Sequence, residues 1–210
     1  MIKVLITDDH PVVREGLKQI LRETLDIMVT GEASTGQDAL TQVLKHDFDV
    51  VLMDISMPGR NGLDMLKELK QVKPELKILI LSIYPEQQYA IRALKANAAG
   101  YLTKESAPGE LITAIRKVAL GGKYVSTSLA ERLAFDLSGD TNQMPHEKLS
   151  DREYEVMCKM ASGKTVKEIG KELALSSKTI STYRRRILDK LQMKSSAEIT
   201  HYAIQRGLVA

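Results

Sequence analysis

The 210-residue chain has one cysteine, Cys158. An internal disulfide is therefore excluded, nothing near Cys158 has metal-ligand spacing, and the residue reads as a buried helix position. His10, His46, His146 and His201 are scattered without ligand spacing, so no structural metal site of histidines is expected. No apolar run reaches the ~18 residues of a membrane span. The opening Met1-Ile2-Lys3-Val4-Leu5-Ile6-Thr7-Asp8-Asp9 meets acidic residues too soon for a signal peptide. A cytoplasmic protein without membrane association is the expectation.

What is present is the composition of an ordinary soluble protein, 43% hydrophobic and 27% charged, long enough for one large domain or two small ones. The net charge of +3 is unevenly spread. From Lys148 onward there are 13 Lys and Arg against 7 Asp and Glu, leaving 17 against 20 before it. A basic tail behind an acidic front points to a polyanion partner for the tail, most economically nucleic acid.

Apolar strand-like runs near 3–7, 27–31, 49–53, 77–81 and 99–102 alternate with helix-period stretches near 12–24, 36–46, 62–71, 86–96 and 108–120. Five βα repeats predict a five-stranded parallel doubly wound sheet with helices on both faces. Val12, Val13, Leu17, Ile20 and Leu21 in the first helix, and Leu63, Leu66 and Leu69 in the third, are expected core stripes. The fifth helix carries Leu111, Ile112, Ile115 and Val118 and should stop at Gly121-Gly122. A weaker amphipathic piece, Leu129, Leu133 and Leu137, precedes a polar linker from Ser138 to His146. The tail predicts four short helices near 151–161, 165–172, 177–191 and 196–206. Ser150 with Glu153, Thr165 with Glu168 and Ser195 with Glu198 fit the capping box, and Ser176 is a further N-cap.

Val50-Val51-Leu52-Met53 reads as a strand buried on both faces, with Asp54 at its carboxyl end before the turn signal Met57-Pro58-Gly59. Asp8 and Asp9 follow the first strand, Ser82 ends the fourth and Lys104 follows the fifth. In a parallel sheet these ends share one edge, where ligands bind. Singly each has a bland reading: a loop aspartate, a helix-starting acid, a strand-end hydroxyl, a solvated lysine. Together, three carboxylates call for a cation, and oxygen ligands with open positions suit Mg²⁺ and a phosphoryl group. In that arrangement Asp54 is the nucleophile, Asp8 and Asp9 hold metal, and Lys104 and Ser82 meet phosphoryl oxygens.

Asp8-Asp9, Asp54-x-x-Met57-Pro58-x-x-x-Gly62, Leu81-Ser82 and Gly100-Tyr101-Leu102-x-Lys104 resemble the receiver domain of bacterial two-component response regulators, a flavodoxin-like fold. Leu149-Ser150-x-Arg152-Glu153, Gly163, Lys167-Glu168-Ile169 and Ser176-x-x-Thr179-Ile180 resemble the LuxR-type (NarL/FixJ) helix-turn-helix. The resemblance implies a receiver over 1–124, a linker over 125–147 and an all-α four-helix DNA-binding domain over 148–210. It implies a transcription factor, not an enzyme, phosphorylated on Asp54 by a sensor histidine kinase. Mg²⁺ would be held by Asp9, Asp54 and the Ser56 carbonyl, and by Asp8 through water. Ser82 and Tyr101 match the switch pair, and Ser56 and Tyr84 the positions that tune phosphoryl lifetime.

By family position Ser181, Thr182 and Arg185 read bases. Lys178, Arg184, Arg186 and Lys190 contact phosphates, with Thr179 and Tyr183 alongside them. Double-stranded promoter DNA, a second copy of the chain and RNA polymerase are the further implied partners. Glu105 after Lys104 departs from the frequent cis-proline and predicts a trans bond, and Asn97 should take an αL position usually held by glycine. A regulator switched without phosphorylation is the alternative. A haloacid-dehalogenase-type phosphohydrolase is a remoter one, since its Asp-x-Asp run is replaced here by adjacent Asp8-Asp9. A flavodoxin-like cofactor binder is disfavoured, because Gly59-Arg60-Asn61-Gly62 is too short to cradle a phosphate.

Overall fold

In the computed structural model, which describes residues 1–57, 61–106, 108–137 and 144–209, the alternating patterns become five strands and ten α-helices. The Pro58-Gly59 turn signal and the linker stretch 138–143 lie outside the described residues. The chain divides into two compact units, Met1–Arg132 and Leu133–Ala210.

The first unit runs β1 (Ile2–Thr7), α1 (Pro11–Arg22), β2 (Ile27–Ala33), α2 (Gly36–Lys45), β3 (Val50–Met53), α3 (Gly62–Val72), β4 (Lys77–Ser82), α4 (Glu86–Lys95), β5 (Gly100–Thr103) and α5 (Pro108–Ala119), and the division between the units falls within α6 (Thr127–Leu137). All strand pairs are parallel, in the order β2-β1-β3-β4-β5. The middles of the central strands are apolar because both faces are covered: Val4, Leu5, Ile6, Val50, Val51, Ile78, Leu79 and Ile80 are wholly buried. Val4, Ile6, Leu52 and Leu79 meet Leu17 and Leu21 of α1 and Leu111, Ile115 and Val118 of α5 on one face.

Asn97 takes the left-handed conformation (φ +66°), and among the described residues no peptide bond is cis. Gly62 is required where α3 starts, since a Cβ there would lie 2.3 Å from the Ile55 Cα. Val12 departs from the expected core stripe, being 84% exposed. At 3.6 residues per turn it points roughly 140° away from Leu17, whereas Val13, Ile20 and Leu21 fall within about 60° of it.

The second unit holds a 3₁₀ turn (Pro145–Lys148) and helices α7 (Asp151–Ala161), α8 (Val166–Glu172), α9 (Ser177–Leu191) and α10 (Ser196–Gln205). Tyr154, Met157, Ile169, Ile180, Ile187 and Ile199 make its core, and Cys158 is buried in α7. Both partners of the capping box are present at Ser150/Glu153 and Thr165/Glu168, and Ser176 caps α9. The third expected box is incomplete. Ser195 Oγ accepts from the Glu198 N–H and donates to Glu198 Oε1 at 3.3 Å, but Glu198 Oε2 accepts from the Lys194 N–H at 3.0 Å instead of from the Ser195 N–H.

Candidate functional site

Parallel pairing sets the acidic cluster. Thr7 and Met53 are partners at the carboxyl ends of β1 and β3, and the next residues leave side by side. The Asp54 N–H donates to the Thr7 carbonyl at 2.9 Å, and the Asp8 N–H to the Ala33 carbonyl at 3.1 Å. Both carboxylates are buried, while Asp9 is partly open. Lys104 is brought in from β5, its N–H donating to the Ser82 carbonyl at 2.8 Å. Its ammonium stands 2.7 Å from Asp54 Oδ2 and 2.6 Å from Asp8 Oδ2. Asp54 Oδ1 accepts from the Ser56 N–H at 2.8 Å, and Asp8 Oδ1 from the His10 N–H at 2.8 Å.

Burial pushes the Asp54 carboxyl above its ordinary value, further than the Lys104 ammonium pulls it down. Burial also works against the Lys104 charge, but hydrogen bonds to Asp54 and Asp8 outweigh it and hold the ammonium above its usual value. One oxygen each of Asp8, Asp9 and Asp54 and a ring nitrogen of His10 all lie within 4.8 Å of one another. At that spacing each carboxylate pair repels by about 3 kcal/mol at an effective dielectric of ~20, and with one ammonium against three carboxylates the cluster keeps a net negative charge. Asp9 Oδ1 is buried without a hydrogen bond, with His10 Nδ1 3.0 Å away. A hard oxygen donor set carrying excess negative charge fits a divalent cation of the Mg²⁺ kind.

Ser82 lies beside this cluster, buried at the end of β4, and its Oγ accepts from the Tyr84 N–H at 3.1 Å. Tyr101 is buried on β5, and its hydroxyl donates to the Tyr84 carbonyl at 2.8 Å. Burial pushes the Tyr101 phenol well above its usual value, with Ser82 hydrogen bonding against it. Ser56 Oγ is buried without a partner. His10 was not expected here from its spacing. The signal that could have found it is adjacency, since it occupies the loop that carries Asp8 and Asp9.

In the second unit α8 and α9 form a helix-turn-helix. Their close approach depends on Gly170, where a Cβ would lie 2.8 Å from the Leu175 carbonyl oxygen. Ala174, in the turn, is left-handed (φ +52°). Lys178, Ser181, Thr182, Arg184, Arg185 and Arg186 are exposed, and Thr179 and Tyr183 are half-buried. Lys178, Thr179, Thr182, Tyr183 and Arg186 line one concavity with Ser176. The Ser181 and Thr182 hydroxyls donate to the carbonyls of Ser177 and Lys178 one turn earlier, and Arg184 Nε donates to Ser196 Oγ at 2.8 Å. Lys190 stands apart from this set. Its ammonium is 2.6 Å from the buried Glu153 carboxylate, one turn beyond Arg186 on α9.

The model of the response regulator receiver domain matches residues 4–116, and that of bacterial regulatory proteins of the luxR family matches residues 147–203. The chain belongs to the LuxR-family response regulators. This regulator is 39% identical to Response regulator UvrY of Escherichia coli (strain K12) over 99% of its own length and 96% of that protein. It is 37% identical to Response regulator GacA of Pseudomonas aeruginosa, over 100% and 98%. Among solved structures it resembles RcsB from Salmonella enterica serovar Typhimurium bound to promoter rprA in the presence of phosphomimetic BeF₃⁻, with TM-score 0.66 and 27% identity over 96% and 97% of the two chains. It is a two-component, DNA-binding response regulator. Among the described residues no helix is long and apolar enough to cross a membrane.

Proposed function

We propose that this regulator is cytoplasmic, that a sensor histidine kinase phosphorylates it on Asp54, and that phosphorylation controls self-association and promoter binding. Residues 1–124 would receive the phosphoryl group, 125–147 connect, and 148–210 bind DNA. The observation that carries the reading is the Lys104 ammonium seated on both Asp54 and Asp8 at the end of buried parallel strands. An Asp54 carboxylate oxygen attacks the phosphorus of a phosphohistidine. The P–O bond forms as the P–N bond breaks, and the departing imidazole nitrogen keeps the electron pair and takes a proton from solvent.

Lys104 stays charged and faces a phosphoryl oxygen, so it neutralises and moves no proton. Ser82 turns its hydroxyl to a second oxygen, and Tyr101, linked to it through Tyr84, follows. Asp8, Asp9, Asp54 and the Ser56 carbonyl would hold Mg²⁺, which would supply further charge neutralisation on the phosphoryl group when bound. Transfer is stoichiometric, so the chain is an acceptor without turnover.

At α9, Ser181, Thr182 and Arg185 would reach base edges, while Lys178, Thr179, Tyr183, Arg184 and Arg186 hold phosphates. Support for a phosphorylation-favoured, DNA-bound dimer comes from RcsB, which has been solved on promoter DNA with phosphomimetic BeF₃⁻ and as two dimers on two parallel DNAs. RNA polymerase is the partner a promoter-bound regulator would then meet. The test is sedimentation of wild type and Asp54→Ala with Mg²⁺, before and after acetyl phosphate. A monomer-to-dimer shift in the wild type alone is expected. The same shift in Asp54→Ala would sink the proposal, and no shift in either would assign switching to a constitutive dimer or a protein partner.

A further inference from the structure

The main chain at Asp8 is held from β2 on one side and from α1 on the other. Its N–H donates to the Ala33 carbonyl, and its own carbonyl accepts Arg14 Nη1 at 2.7 Å. Arg14 belongs to α1 and its side chain is only 17% exposed. Its Nε donates to Glu32 Oε2 at 3.3 Å, and Glu32 precedes Ala33 on β2, in register with Ile6 of β1. The other Glu32 oxygen is 2.8 Å from the Lys18 ammonium. Hydrogen bonding from Lys18, with Arg14 adding to it, keeps the Glu32 carboxyl below the ordinary carboxylate range, so the anchor stays charged.

Arg14 Nη1 meets the Asp8 main chain rather than an Asp8 carboxylate oxygen. A guanidinium can make both contacts because its donors form a rigid planar fork. We infer that Arg14 is a positioning residue of the acidic site: anchored by Glu32, it fixes the Asp8 peptide and so aims the Asp8 and Asp9 carboxylates at a divalent cation. This rests on the Mg²⁺ reading above.

Charge and position forecast opposite results. A cation beside a metal site repels the metal, so on charge alone Arg14→Gln would tighten Mg²⁺ binding and Arg14→Lys would leave it unchanged. If Arg14 positions the loop, both variants weaken binding, since an ammonium on a flexible stem cannot span Glu32 and the Asp8 carbonyl in one plane. Loss of a group that orients metal ligands typically costs 10- to 100-fold in affinity. Acting through the main chain, Arg14→Gln is expected at the low end, about tenfold, with Arg14→Lys smaller in the same direction.

The experiment is a Mg²⁺ titration of the full chain and both variants, followed by the NMR amide shifts of Asp8, Asp9, His10 and Ser56, with melting curves in EDTA to establish folding. The expected result is weaker Mg²⁺ binding in both variants with melting close to wild type. Binding by Arg14→Gln as tight as wild type or tighter, or wild-type binding by Arg14→Lys, overturns the inference and leaves the metal site standing. A wild type whose amides ignore Mg²⁺ removes the metal reading and the inference with it.

Discussion

Asp54 is ionised at a cost to the fold. Burial raises its carboxyl above the ordinary 3.8, so the folded chain binds its proton more tightly than the unfolded chain does. The stability associated with the protonated form is fully present below 3.8 and is lost as pH rises through the raised value. Asp54→Asn should therefore melt higher than wild type near neutral pH without divalent metal, and its advantage should shrink as pH is lowered toward 3.8. Melting curves of the pair at several pH values read this directly, and an advantage that grew on acidification would contradict it. Gly62 is a steric counterpart. With a Cβ 2.3 Å from the Ile55 Cα and 2.7 Å from its carbonyl oxygen, Gly62→Ala must push backbone rather than a flexible side chain. The expected loss is about 2–3 kcal/mol in urea unfolding, with the Asp54–Ser56 loop displaced. Asp54, Asp8, Asp9 and Lys104 were legible from strand-end positions alone, because parallel pairing dictates where strand ends go. Arg14 and Glu32 were not, because their meeting depends on how α1 lies over β2, and no one-dimensional period encodes that.

Elements were more legible than their details. Strands buried on both faces and amphipathic helices leave periods in the sequence that survive folding, so all five βα repeats and the four helices of the tail could be placed. Val12 shows the limit: it lies in an apolar run, yet a rotation of roughly 140° from Leu17 decides its exposure. Glu198 shows another, since a carboxylate three residues after an N-cap can reach either of two neighbouring N–H groups. Ala174 is a third, an L-residue held at φ +52° in the helix-turn-helix. The left-handed region costs an L-residue roughly 1–2 kcal/mol, partly balanced by the flexibility a glycine would bring to the unfolded chain. Ala174→Gly should stabilise the second unit by about 0.5–1 kcal/mol. Slower amide exchange at Ile187 in α9 would report it. Faster exchange would mean that the turn is held by packing of the Ala174 methyl.

For the molecule as a whole, the uneven charge assigns DNA affinity to the tail, where 13 basic residues face 7 acidic ones from Lys148 onward. Not every cation there is available to DNA. Lys178 and Arg186 line the concavity along α9, whereas the Lys190 ammonium is paired with Glu153. Each phosphate neutralised releases counterions and adds about one unit to the salt dependence of log K. Lys178→Ala and Arg186→Ala should each weaken binding to specific and non-specific DNA alike and lower the salt slope by about one. Arg185→Ala should instead cost about 1–3 kcal/mol on the preferred sequence and flatten the preference at one base pair. Lys190→Ala should leave the slope unchanged. Its effect should appear as lost stability of the second unit, about 1 kcal/mol after allowing for its solvent exposure, because the buried Glu153 loses a charged partner while keeping the Ser150 N–H. Fluorescence anisotropy on one duplex across a salt series, run beside unfolding curves, separates the two behaviours. A reduced slope for Lys190→Ala would mean that its ammonium leaves Glu153 when DNA binds.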